Sequence, residues 1–185
     1  MLKTRNAIAL LLLIFSHFMT SAQGCSDAGF CTVESFVPHP HDEEPADKNR
    51  FKAGISAGAA DYDINVFGTY FEYSRFFSDK FSLDAKLTTL SQSGNDISTF
   101  GLSDIFINGN YKIGQRAIFT LGAKIPLMDA NKMKDGLPLP MDYQSSLGTY
   151  DLVAGFGYTV GRVQLVAAIQ QPLTQNNNSF LAEEY

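Results

Sequence analysis

The side chains that could do chemistry fall into two groups. The first is compact: Cys25, Cys31, His39 and His41, followed by the acidic run Asp42, Glu43, Glu44. Thiolate, imidazole and carboxylate are the ligand types of zinc and copper sites, so His39 and His41 are metal-ligand candidates. A plainer chemistry is available to the same residues. In an oxidising compartment Cys25 and Cys31 can close a small disulfide loop, and the acidic run is then a solvated linker. Ala22, Gln23 and Gly24 before Cys25 also supply the small residues of a lipoprotein cut site, without the usual aliphatic residue three places earlier. A lipid on Cys25 would anchor the chain to a membrane.

The second group is spread out. Glu72, Asp84, Lys86, Asp104, Lys112, Lys124 and Asp151 each sit in a stretch where apolar and polar residues alternate. In a strand such positions share one face. Charges withdrawn from bulk water must be paired or hydrated. A face of mixed sign therefore predicts either a wet lumen or an internal lattice of ion pairs, and these seven residues are its candidates.

Other chemistries find no support. The chain has no Gly-rich phosphate loop, no zinc-binding His pair at helical spacing and no Gly-x-Ser-x-Gly elbow. Its three histidines are His17, His39 and His41, so none lies beyond Phe51 to serve as a base. No enzyme activity and no cofactor are expected. With 14 basic against 19 acidic residues the net charge is −5, and no basic stripe offers a nucleic-acid partner a footprint.

The elements that must position the charges begin with a leader. Lys3 and Arg5 precede the apolar run Ala7 to Phe15, and Ser21, Ala22 and Gln23 follow as small residues near a cut site. That order reads as a signal peptide over residues 1–23, too short in its apolar part to span a bilayer as a helix. Residues 24–50, with Pro38, Pro40 and Pro45, read as a periplasmic Pro-rich, acidic lead-in.

From Phe51 the period is two. Phe81, Leu83, Ala85 and Leu87 alternate with Ser82, Asp84, Lys86 and Thr88. The same pattern recurs over 104–113, 117–125, 151–160 and 163–170, with two less regular strands before it. Tight turns are expected at 78–80, 114–116 and 161–162, and longer links at 59–63, 91–100 and 128–147. Long strands joined alternately by short turns and long loops are the layout of an outer-membrane barrel. The expected fold is thus all-β: an antiparallel transmembrane barrel over 51–185. Tyr70 or Tyr73, Phe76, Phe77, Phe81, Tyr111 and Tyr158 would supply an aromatic girdle. About seven or eight strands can be counted, whereas single-chain bacterial barrels use even numbers. The expectation is therefore an incomplete barrel that continues past Tyr185.

Several strand motifs carry a resemblance. Gly101, Leu102, Ser103 and Asp104 lead into a strand ending at Tyr111 and Lys112. Leu121 to Pro126 reads Leu-Gly-Ala-Lys-Ile-Pro. Gly136, Leu137 and Pro138 precede Ser146 to Leu152 and then Gly155, Phe156, Gly157 and Tyr158. In that order, over Gly101 to Tyr158, the chain resembles the outer-membrane transporter family of the meta-pathway phenol-degradation type. Ser103 stands where that family has Gly, and Leu147 where Gly is common. The resemblance implies a barrel passing small solutes, hydrophobic or aromatic ones included. The leader around Cys25 to Cys31 is similar to those of exported Bacteroidetes proteins.

The functional expectation is an outer-membrane channel, with bilayer lipid, the barrel-assembly machinery and small solutes as partners. The alternative is a structural or binding barrel whose polar, mobile 128–147 loop engages a partner.

Overall fold

A computed structural model describes residues 48–180. The sequence's period of two becomes seven long strands in simple meander order. They are β1 (Asn49–Ala60), β2 (Ile64–Phe76), β3 (Phe81–Gly94), β4 (Ile97–Ile113), β5 (Ala117–Pro126), β8 (Asp151–Val160) and β9 (Val163–Pro172). Between β5 and β8 a small hairpin, β6 (Met133–Lys134) and β7 (Leu137–Pro138), precedes a 3-10 turn at Met141–Tyr143. Every pairing is antiparallel, and the sheet order is β1-β2-β3-β4-β5-β8-β9. The sheet curls into a half-barrel with β1 and β9 as its edges. The fold is all-β, and no helix among the described residues is long and apolar enough to cross a membrane.

The strands start and stop where backbone chemistry lets them turn. Asn95 and Asp96 both take positive φ, 50° and 59°, and join β3 to β4 in two residues. That is the left-handed pair a tight hairpin matching strand twist requires, and Asn and Asp tolerate it best after Gly. Gly161, at φ 59°, opens the two-residue turn between β8 and β9.

Two expected loops are corrected. The stretch 91–100, rich in Ser, Gly, Asn and Asp, is strand on both sides of Asn95 and Asp96, because turn-forming composition is confined by register to the two residues that bend. The link 59–63 shrinks to Asp61, Tyr62 and Asp63. Only the segment from Leu127 to Tyr150 remains long, so the expected alternation of short turns with long loops is absent. The first strand begins at Asn49 rather than at Phe51.

The distribution of polarity across the sheet is inverted relative to a water-soluble sheet. On the convex face Phe51, Ile55, Phe71, Leu121, Phe156 and Ile169 are among many large apolar side chains left exposed. On the concave face more polar and charged side chains are buried than apolar ones. The pleat enforces this, since residues two apart face the same way. One irregularity changes the phase. Thr88 of β3 faces both Ser103 and Asp104, a bulge where register shifts between Leu87 and Thr89. Two consecutive residues of β4 are thereby turned inward, with exposures of 1% and 0%.

The aromatic residues expected to form a girdle do not all share one face. Phe81, Tyr111, Phe119 and Phe156 are register partners in one row across β3, β4, β5 and β8, all on the convex face. Phe77 extends the row, its ring 5.7 Å from that of Phe81. Tyr70, by contrast, sits on the buried face of β2, where the Lys86 amine lies 4.5 Å from its ring centroid. The bare backbone of Gly54, its partner across β1, leaves room for the ring. Phe76 shares that inward parity, and the Arg50 guanidinium lies 5.2 Å over its ring.

Candidate functional site: a charged inner wall and the segment seated on it

The concave face gathers the charges the sequence singled out, and register arranges them. Lys52, Glu72, Lys86, Phe106, Lys124 and Asp151 are successive cross-strand partners over six strands. The charges in this row run plus, minus, plus, then, past Phe106, plus and minus. Lys52 reaches Glu72 at 3.5 Å, with Glu72 nearly buried. Lys124 reaches Asp151 at 2.8 Å with both side chains fully buried. The Gln170 amide from the edge strand donates a further hydrogen bond to Asp151. Opposite charges placed directly across an antiparallel ladder attract, and like charges there would repel. The alternation is therefore what lets a row of charges face inward.

A second set of inward groups, nearer the short turns, is held by hydrogen bonds. Thr120 and Asn110 bond at 2.7 Å, and the Asn110 amide donates to Asp84 at 2.5 Å. Asp84, Asn110 and Thr120 are all buried, so each takes up polar capacity that would be costly to leave unmet. Six of the seven predicted residues (Glu72, Asp84, Lys86, Asp104, Lys124 and Asp151) are buried on this wall. Lys112 has the same parity but is only half-buried, near the short-turn end beside the β4–β5 turn. Around Lys124 and Asp151 the inward charges are paired with each other.

The polar, mobile loop expected over 128–147 corresponds to the segment from Leu127 to Tyr150. It folds onto the wall instead. Leu139 and Tyr143 pack with Ile64, Val66 and Leu90 in the one apolar core cluster among the described residues. Burying such side chains stabilises by roughly 1.5–3 kcal/mol each, which seats the segment at the rim. Polar contacts then tie it along β3 and β4. The Gln92 amide donates to the Gln144 carbonyl at 2.7 Å, and the Thr99 hydroxyl to that of Tyr143 at 2.9 Å. Ser145 donates to the Leu102 carbonyl at 2.9 Å. Ser146 donates to one carboxylate oxygen of Asp104 at 2.6 Å and Ser103 to the other at 2.9 Å. Deeper in, the Lys124 amine bonds the Thr149 hydroxyl at 3.1 Å.

One group in this seam stands apart. The backbone of Lys132 is fixed by Gln144 and Leu139: its N–H donates to Gln144 at 2.8 Å and its carbonyl accepts from Leu139 at 2.8 Å. Its amine is buried against Gly101, where an added methyl would come within 2.8 Å of it, and has no hydrogen-bond partner among the described residues. Burial pushes the amine below the ordinary lysine range.

Sequence reasoning missed the seam. Gln92 and Thr99 fell in a stretch read as loop, and Gln144 to Thr149 carry no periodicity that separates a seated segment from a solvated one. Ser103 was visible only as a departure from the Gly of the resembled motif. Cys25, Cys31, His39 and His41, with the expected signal peptide and most of the expected lead-in, lie outside the described residues.

No protein-family model matches the chain, and no curated protein matches it either.

Proposed function

We propose that the chain is exported to the outer membrane and there forms, with its curled sheet as wall, a β-barrel channel for small solutes. The observation that carries this reading is the inversion of faces: an apolar convex surface over a concave one of buried charge and hydrogen bonds. Water as the outer solvent would favour the opposite arrangement, because exposed apolar patches much beyond a few hundred Å² are rare on soluble monomers. Hydrocarbon favours this one.

The dimensions agree. Phe100 and Tyr111 bracket the apolar stretch of β4 on the convex face, about 36 Å of strand at ~3.3 Å per residue. At the ~45° tilt of membrane strands this gives a height of about 26 Å, against an apolar band of ~25 Å in such barrels. The aromatic row from Phe77 to Phe156 would lie at one interface. Insertion would require the barrel-assembly machinery, and the lumen charges would bias which solutes pass. The likeness to phenol-degradation transporters puts hydrophobic and aromatic solutes among them.

Full-length protein refolded into planar bilayers provides the test. Discrete conductance steps are expected, and a closed membrane that stays non-conducting while the protein is inserted refutes the channel. A second reading, a barrel that engages a partner without transport, rests on the β6–β7 hairpin tip, where Met133 and Leu137 are exposed. Shortening that tip should leave conductance in place and remove any partner binding.

A further inference from the structure

The bulge in β4 coincides with the place where the long segment docks. A regular strand would present one inward side chain at this level. The bulge presents two, Ser103 and Asp104, and both act on the same contact. Ser103 holds one oxygen of the Asp104 carboxylate and the incoming Ser146 holds the other. The backbone of Asp104 is fixed from the opposite strand: its N–H donates to the Thr88 hydroxyl, which donates in turn to its carbonyl, both at 3.2 Å. A carboxylate aimed and oriented from the wall thus receives a hydroxyl from the seated segment.

The remainder of the seam has a distinctive composition. Past the apolar anchor at Leu139 and Tyr143, the contacts that hold it down are hydrogen bonds: Gln92, Thr99, Ser145, Ser146 and Lys124 make those to the wall, and the amides of Asn176 and Asn178, after β9, donate to its Leu147, Ala130 and Leu139 carbonyls. When the segment lifts, Gln92, Thr99, Ser145 and Ser146 can exchange these partners for lumen water and Lys124 keeps Asp151, so none of them is orphaned. The buried amine of Lys132 acts in the opposite sense. It gives up water on seating and gains no acceptor among the described residues, and an unpaired buried amine is unfavourable.

We propose that the segment from Leu127 to Tyr150 is an internal strap that narrows the lumen, latched to the wall by Asp104 and Ser146 and opposed by Lys132. This rests on the channel reading for its functional meaning. The latch itself does not. Asp104 is a positioning residue: it sets where the strap lies and hence the size of solute that passes.

The experiment uses the full chain, refolded, with two readouts. One is cutting by chymotrypsin after Tyr143, which is 3% exposed while the strap is seated. The other is single-channel conductance in planar bilayers. Hydrogen bonds to a charged group are worth enough that losing this one should raise the lifted population about tenfold or more. Cutting after Tyr143 follows that population when lifting is fast relative to cleavage. Asp104→Ala is therefore expected to accelerate the cut about tenfold and to enlarge conductance. Ser146→Ala, made from the strap side, should do the same and leave the wall's own fold alone. The double variant should be no faster than the quicker single one, and Asp104→Asn, which keeps an acceptor for Ser146, should fall back toward wild type. Lys132→Met should slow the cut below wild type.

If wild type conducts but neither Asp104→Ala nor Ser146→Ala changes cutting or conductance, the strap proposal is overturned. If wild type never conducts while cutting responds as described, the latch stands and the channel reading fails.

Discussion

Replacing Lys124 with Met should be among the most damaging single changes in the wall. The Lys124 amine and the Asp151 carboxylate meet at 2.8 Å with no exposure of either side chain. At an effective dielectric of about 20, charges at that separation attract by roughly 6 kcal/mol before desolvation is counted. Most of this offsets the withdrawal of both ions from water, so the pair's net contribution is small. Removing one partner is different, because the other then stays buried without compensation. That costs about 3–5 kcal/mol. Asp151 would keep only the Gln170 amide, and Thr149 would lose its contact with Lys124. Guanidinium unfolding of the refolded protein in lipid, followed by tryptophan-free far-UV circular dichroism, measures the loss. Lys124→Met should lower stability by about 3–5 kcal/mol. Adding Asp151→Asn, which can still accept from Gln170, should recover most of it. A loss below about 1 kcal/mol for the single variant is the size of a solvated surface pair. That result would refute the view that this part of the wall is dry.

Three further predictions follow from the same geometry. Leu121→Arg, on the exposed convex face of β5, should cost about 2–4 kcal/mol in a bilayer if it lies near the midplane; a change within about 0.5 kcal/mol, as on a water-exposed surface, would argue against a lipid-facing surface. Gly101→Ala places a methyl 2.7 Å from the Ser145 hydroxyl and 2.8 Å from the Lys132 amine, so it should loosen the strap and speed cutting after Tyr143, whereas unchanged protection would mean that the strap is not seated there. Lys132 has its folded amine below the unfolded value, so between the two values the unfolded chain binds more protons and stability rises with pH, the gain being complete above about 10.4. Guanidinium midpoints between pH 8 and 10.5 should show that rise in wild type and lack this contribution in Lys132→Met.

Polarity alternation was legible in the amino-acid order, and it carried a good deal. A period of two over β3, β4, β5, β8 and β9 gave both the strands and the face on which Asp84, Lys86, Asp104, Lys124 and Asp151 lie, because the pleat converts sequence parity directly into side. Local composition misled where it met long-range pairing. Residues 91–100 have the makeup of a loop, yet cross-strand hydrogen bonds run through to Gly94 and Ile97, and those depend on partners far along the chain.

What only the tertiary structure decided is which inward groups meet. Lys124 pairs with Asp151 through the register of β5 with β8, after an intervening segment whose length the sequence shows but whose path it does not. The bulge that turns Ser103 and Asp104 inward together arises from a mismatch between two strands, a property of neither alone. The seating of Gln144 to Thr149 depends on shape and on hydrogen-bond partners drawn from β3, β4 and β5. The sequence thus set the chemistry of each face, and the fold determined which of those groups became partners.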